Sequence, residues 1–265
     1  MIKFKSFSSG SAGNCYYLGV EQDGAIVAGV LIDAGVSLRR LRKELAADGL
    51  TTEDFSAIIV THDHCDHIRS LGSFCKYLEY PVWATAELHN ALSHHVMTRD
   101  HMSSCRKTLS ADGWTEIVPG LIRARCFEVP HDATQTVGLA LELDGHRYVH
   151  ITDCGRMTRE ALDFCRQADT VVLESNYDPY MLEHGHYPPD LQKRIRGGHG
   201  HLSNGECAEA ISGFLHEGLR EIFLCHLSEN NNTPELAYAC AKEVVGTACR
   251  LEALPRRSPT PMYTL

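Results

Sequence analysis

A chain of 265 residues with 43% hydrophobic content has the length for one large α/β domain or two small ones, and is read as a single domain over residues 1–254. Its formal net charge of −9 excludes an overall basic field, so any phosphate-bearing substrate would have to be attracted by metal ions and local Lys or Arg. Eleven cysteines without a C-x-x-C pair, a start Met1-Ile2-Lys3-Phe4-Lys5 with no apolar signal region, and no run of membrane-spanning length predict a reduced, cytoplasmic protein with no membrane partner.

Ile2 to Phe7 alternates with a period of two, Ser8 to Asn14 has turn chemistry, and Cys15 to Val20 is apolar again, which predicts a hairpin. Its Ser/Gly loop reads either as a plain turn or as a cradle for an anion on backbone N–H groups. A second hairpin through Gln22-Asp23-Gly24 leads into Ala25 to Ile32, after which Asp33 reads as a group orienting ligands from behind or as a helix cap. Ser37 caps a helix with Leu38, Leu41 and Leu45 on one face. The apolar run Ser56 to Val60 then meets Thr61-His62-Asp63-His64-Cys65-Asp66-His67. Burying that many unpaired imidazoles and carboxylates would cost several kcal/mol each, roughly, so a bound cation is the simplest resolution. Imidazole nitrogen and carboxylate oxygen suit zinc, manganese or iron.

Helical periodicity covers Ile68 to Leu78 and Glu87 to Val96, where His89, His94, His95 and His101 lack metal spacing. Strands follow at Leu121 to Val129, ending in Pro130-His131-Asp132, at Val137 to Leu143, and at Arg147 to Thr152, ending in Asp153-Cys154-Gly155. A helix from Thr158 precedes the buried strand Val171 to Leu173, which ends in Glu174-Ser175-Asn176. Pro188-Pro189 breaks 178–196 into short helices, and the capping box Ser203-x-x-Glu206 opens another. Ile222 to Cys225 is a strand ending in His226, Thr233-Pro234 starts the last helix, and the proline-bearing tail 255–265 is expected to be flexible. His62, His131, Asp153, Glu174 and His226 thus all sit just past strands, where α/β sheets gather functional groups. Cys65, Cys154 and Cys225 adjoin these positions and read first as small, inert cysteines at strand ends, or else as oxidation-sensitive thiols, a role for which Cys65 and Cys154, in turns, are the candidates.

H-x-H-x-D-H at 62–67, followed in order by His131, Asp153 and His226, resembles the metallo-β-lactamase superfamily across nearly the whole chain. The resemblance implies a four-layer αββα sandwich of two similar halves with two divalent metal ions at one edge, zinc or manganese, with iron possible. One ion would take His62, His64 and His131; the other would take Asp66, His67 and His226; Asp153 would bridge them. The β-lactamases of the superfamily generally carry a cysteine where Asp153 stands, so lactamase activity is not favoured. Glyoxalase II enzymes share the ligand set, so the ligands do not separate thioester from phosphodiester hydrolysis.

Glu174, Gly200-His201-x-Ser203 and His226-Leu227-Ser228 resemble the arrangement in ribonuclease Z, where a Glu–His pair relays a proton. Ser9-Gly10-Ser11-x-Gly13-Asn14, Thr152-Asp153-x-Gly155, Glu174-Ser175-Asn176, Gly200-His201-Leu202-Ser203-Asn204 and His226-Leu227-Ser228-x-Asn230-Asn231 resemble more closely the YycJ/WalJ (VicX) family, associated with 5′-to-3′ DNA exonuclease activity. The segment between Asp153 and His226 leaves no room for the β-CASP insertion of ribonuclease J. The expectation is a phosphodiester hydrolase acting on nucleic acid, most of all DNA ends, through a hydroxide held between two cations. Asp66, Glu174 and His201 are the catalytic candidates, with His201 protonating the leaving oxygen, and Asp33 supports the ligands from behind. Ser203, Asn204, Lys193, Arg194 and Arg196 are the candidate substrate contacts. The alternatives are a small-molecule, cyclic phosphodiesterase, a thioester hydrolase, and a metal-binding module without catalysis. The oligomeric state stays open.

Overall fold

In the computed structural model, which describes residues 1–110 and 112–265, the chain forms two seven-stranded sheets. The first contains β1 (Ile2–Gly10), β2 (Gly13–Gln22), β3 (Ala25–Ile32), β4 (Ala57–Ile59), β5 (Val82–Ala84) and β6 (Arg106–Thr108). The second contains β7 (Thr115–Val118), β8 (Ile122–Glu128), β9 (Val137–Leu143), β10 (His146–Ile151), β11 (Thr170–Glu174), β12 (Glu221–Cys225) and β13 (Arg250–Ala253). A last strand, β14 (Tyr263–Thr264), returns to the first sheet beside β1. The sheet orders are β14-β1-β2-β3-β4-β5-β6 and β13-β12-β11-β10-β9-β8-β7.

Alternation along the strands produces the layers. Val30 and Ile32 join Phe4, Tyr16 and Leu18 in the core between the sheets, where they meet Leu139, Leu141, Tyr148, Val172 and Phe223. Leu31, Ile58 and Val60 turn the other way, onto α1 (Leu38–Ala47), α3 (Leu71–Leu78) and α4 (Ala86–His94) through Leu41, Phe74 and Leu88. Val171, Leu173, Ile222 and Leu224 likewise cover the inner faces of α5 (Arg159–Cys165), α8 (Asn204–Phe214) and α9 (Pro234–Val245). The result is the expected α/β/β/α sandwich. The ring of Phe4 lies 4.9 Å from that of Phe223, so it closes the two sheets on each other, and truncating it to alanine would cost roughly 3–5 kcal/mol.

β3 to β6 run parallel, as do β10 to β13, and both sets end at the same rim of the sandwich. That rim carries the residues that follow β3, β4, β10, β11 and β12. β8 reaches it too, because two antiparallel pairings separate it from β10.

Two expectations differ from the structure. The first hairpin turns only at Ser11-Ala12, with Ser8-Ser9-Gly10 and Gly13-Asn14 inside the paired strands. The tail 255–265 is not a loose end: Thr260 is buried and accepts from the Ser6 N–H through Oγ1, the Arg256 guanidinium donates to Ser228 O, and β14 adds a strand beside β1. Its prolines prevent helix without preventing an edge pairing, which the local sequence does not announce.

Candidate metal centre

The helix α2 (Cys65–Ile68) begins directly after the His-rich turn and brings Asp66 and His67 to the rim beside His62 and His64. Asp33, Asp153 and His226, one residue or two past their strands, each adopt left-handed backbone with φ of 61°, 53° and 52°. Non-glycine residues pay for that conformation with strain, and such residues concentrate at functional sites.

Each histidine of the set spends one ring nitrogen on the protein and turns the other inward. His67 Nδ1 lies 2.6 Å from Asp33 Oδ2, His131 Nδ1 2.7 Å from the Gly200 carbonyl, and His226 Nδ1 3.0 Å from Glu174 Oε1. Thr61 donates its hydroxyl to Asp33 Oδ2 at 2.8 Å, so its oxygen accepts from His62 Nδ1 at 3.1 Å. His64 is reversed, with Nε2 3.3 Å from the Asp132 carbonyl and Nδ1 facing His131 Nε2 at 3.3 Å. Outward N–H donation to a carboxylate, carbonyl or hydroxyl is how a metal-ligating histidine is held in the right tautomer. It leaves the inward nitrogens facing one another and the carboxylates of Asp66 and Asp153. His62 Nε2 in particular is fully buried without a hydrogen-bond partner. An orphaned buried nitrogen costs about 1–3 kcal/mol, which a cation among these atoms removes.

Ligand atoms of His62, His64, His131 and Asp153 all lie within 4.8 Å of one another, and so do those of Asp66, His67 and His226. Asp153 stands between the groups, with Oδ1 3.5 Å from His131 Nε2 and Oδ2 3.1 Å from His67 Nε2. Oxygen and imidazole donors in this number fit divalent zinc, manganese or iron. Burial opposes ionisation of Asp153 and Glu174, but the imidazoles around them win: His226, His67 and His62 hold Asp153 well below the carboxylate range, and His201 and His226 hold Glu174 at about 2. Burial likewise opposes charge on His226, but Asp153, with Asp66 and Glu174, raises it to about 10.

Glu174 Oε1 accepts from His201 Nδ1 at 2.8 Å, while Oε2 accepts the backbone N–H groups of Cys154 and Leu202 at 3.0 and 3.1 Å. His201 lines the cleft over the His/Asp cluster, together with Asp66, Asp153, Asn176, Arg194 and Ser228. The remaining candidates separate. Asp33 lies behind His67 and Thr61, as an orienting group would. Arg194 reaches the cleft, paired with Asp132; Lys193 and Arg196 are exposed on or just past α7 (Pro189–Ile195) and do not line it. Ser203 is the N-cap of α8, and Asn204 is buried in hydrogen bonds with Ser175 and Asn232. Sequence reasoning passed over Asn176, whose amide holds the His226 carbonyl at 2.7 Å, and Asn14, whose amide lies 3.0 Å from Asp66 Oδ2. Both stand in quoted motifs, but nothing local shows where their side chains end. Of the cysteines, Cys154 and Cys225 are buried, with thiols pushed up by burial, whereas Cys65 is exposed.

Residues 29–220 match the model of the family described as "Beta-lactamase superfamily domain". The chain is 30% identical to the exodeoxyribonuclease YycJ of Bacillus anthracis, over 98% of this chain and 97% of that one. It is 31% identical to the exodeoxyribonuclease WalJ of Streptococcus pneumoniae, over 89% and 86%. Among solved structures, the metallo-β-lactamase fold protein YhfI of Bacillus subtilis superposes with a TM-score of 0.70 at 17% identity, covering 98% of this chain and 100% of that one.

Proposed function

Because the chain belongs to the β-lactamase superfamily, with YycJ/WalJ relatives matching nearly end to end, and is a metal-dependent hydrolase, we propose that it is an exonuclease acting on DNA ends, in the 5′-to-3′ direction by resemblance. We read two divalent ions in the site, one on His62, His64 and His131, the other on Asp66, His67 and His226, with Asp153 shared. Bound there, such ions supply a water acidified to a pKa of about 7 and neutralise charge on a phosphoryl oxygen.

The observation that carries the reading is the Glu174–His201 pair at the cleft. Glu174 accepts a hydrogen bond from His201 Nδ1 and leaves Nε2 for the cleft. Burial disfavours the imidazolium, but Glu174, ahead of Asp153, outweighs it and raises the His201 pKa. A protonated Nε2 beside the ligand set is placed to protonate the oxygen that leaves a phosphodiester, a contribution of typically 10²–10⁴-fold. Arg194, steadied by Asp132, supplies positive charge at the mouth. A cyclic or other small phosphodiester is the second reading, favoured by the net charge of −9 and a cleft of only ≈ 230 Å³.

The test is turnover by the metal-loaded protein on DNA labelled at either end, on RNA and on a chromogenic phosphodiester. Stepwise shortening of DNA from the 5′ end is expected. Cleavage of the small diester with DNA untouched would favour the second reading, and no hydrolysis of any would leave a binding module.

A further inference from the structure

Ser9-Gly10-Ser11-x-Gly13-Asn14 is a motif that the ligands and the Glu174–His201 pair leave without a task. Ser9 and Asn14 pair across the first hairpin, and Asn14 and Tyr16 point to the same face of β2. The backbone N–H of His226 donates to Ser9 Oγ at 2.9 Å, and Ser9 Oγ lies 2.9 Å from the Tyr16 hydroxyl. Tyr16 donates to Asn14 Oδ1 at 3.3 Å. Asn14 Nδ2 reaches the Gly10 carbonyl at 3.2 Å and Asp66 Oδ2 at 3.0 Å.

The directions are forced. Asn14 Oδ1 only accepts, so Tyr16 must donate to it; the Tyr16 oxygen then accepts the Ser9 proton, and the Ser9 oxygen accepts from His226. Flipping the Asn14 amide would set its oxygen against the Asp66 carboxylate, two acceptors face to face. The amide nitrogen also lies 2.9 Å from His67 Nε2, so the same side chain touches two of the proposed ligands, Asp66 and His67. Burial keeps the Tyr16 phenol protonated, as the chain requires. Ser9, Asn14 and Tyr16 are all fully buried, and the chain has no break from end to end.

We propose that Ser9, Tyr16 and Asn14 form a positioning relay that presets Asp66 and His226, two ligands carried by opposite sheets, for one cation. The inference rests on the two-cation reading of the site. A hydroxyl pair that merely filled the core would end on carbonyls; this one ends on the side chain of one ligand and on the backbone of another, at the strained φ of 52° that His226 adopts. Partners of this kind, behind a ligand, are worth typically 10–100-fold in metal affinity.

The experiment is equilibrium zinc content against a graded series of chelators, with the release step of this cation identified as the one that Asp66→Ala abolishes. Tyr16→Phe deletes a single oxygen while keeping the ring packed, and Asn14→Leu removes the amide at similar volume. Both are expected to weaken that step roughly 10–100-fold and leave the other unmoved. Tyr148→Phe is the control, because Tyr148 is equally buried and its hydroxyl bonds His150 Nδ1 at 3.0 Å, whose ring packs against Tyr16 at 4.5 Å without sharing a hydrogen bond of the relay. An unmoved step in Tyr16→Phe, equal weakening of both steps, or the same effect from Tyr148→Phe would overturn the relay. A single zinc equivalent in the unsubstituted protein would overturn the two-cation reading and the relay with it, and the unsubstituted protein alone separates that failure from the others.

Discussion

Glu174 Oε1 lies 2.8 Å from His201 Nδ1 and 3.0 Å from His226 Nδ1, so one oxygen orients both the proposed proton donor and a proposed ligand. The consequences of substitution therefore divide. His201→Ala removes a group outside both proposed ligand sets, and is expected to keep both metal equivalents while losing turnover by about 10²–10⁴-fold. Glu174→Gln loses the charge that holds His226 in place and is expected to lose metal as well as turnover. Asp153→Ala should behave like Glu174→Gln, only more severely, because its two oxygens face different groups. Elemental analysis after dialysis, beside kcat on labelled DNA, checks all three. Metal lost from His201→Ala would make His201 a ligand.

Among the helices flanking the cleft, α7 and α8 distinguish what sequence could and could not say. The capping box that opens α8 was legible, because its residues are neighbours: Ser203 Oγ accepts from the Glu206 N–H at 3.2 Å, and the Glu206 carboxylate accepts from the Ser203 N–H at 2.8 Å. The same bonds turn Ser203 away from substrate, so Ser203→Ala should cost about 1 kcal/mol of stability and leave the KM for DNA unchanged. A large rise in KM with no fall in melting temperature would restore Ser203 as a contact. On α7, spacing puts Lys193, Arg194 and Arg196 together but does not say which one leans inward; that depends on Asp132, far off in the chain. Arg194→Ala is expected to lower the salt slope of DNA binding by about 0.9, and the Lys193→Ala/Arg196→Ala pair by much less. Equal effects would make the whole face the contact. The clustering of His and Asp at the rim was legible for the opposite reason: the H-x-H-x-D-H turn is local, and the others follow strands whose apolar runs mark their ends. Asn14 and the tail were not, since Asn14 acts through partners as distant as Asp66 and Thr260 bonds back to Ser6.

The two sheets meet at a site to which each contributes: His62, His64, Asp66 and His67 from the first, His131, Asp153 and His226 from the second. Cations held there would join the halves of the sandwich and so favour the folded chain. At a free concentration 100 times Kd, each contributes about 2.7 kcal/mol, which for a chain of this size raises the melting temperature on the order of 5–10 °C. The gain should depend on pH. In the stripped protein the carboxylates hold His226 protonated up to about 10, despite its burial, above the ordinary histidine value. A pKa raised on folding contributes stability fully below the unfolded value, near 6.5, and that contribution disappears as pH rises through the folded value. Stripped protein should therefore weaken between about pH 6.5 and 10, where loaded protein does not, because the cation requires the neutral imidazole in any case. Melting curves with zinc and with a chelator, at pH 6 and at pH 9, are expected to show the larger difference at pH 9. A difference that is the same at both, or larger at pH 6, would mean that His226 is not among the groups the cation displaces protons from.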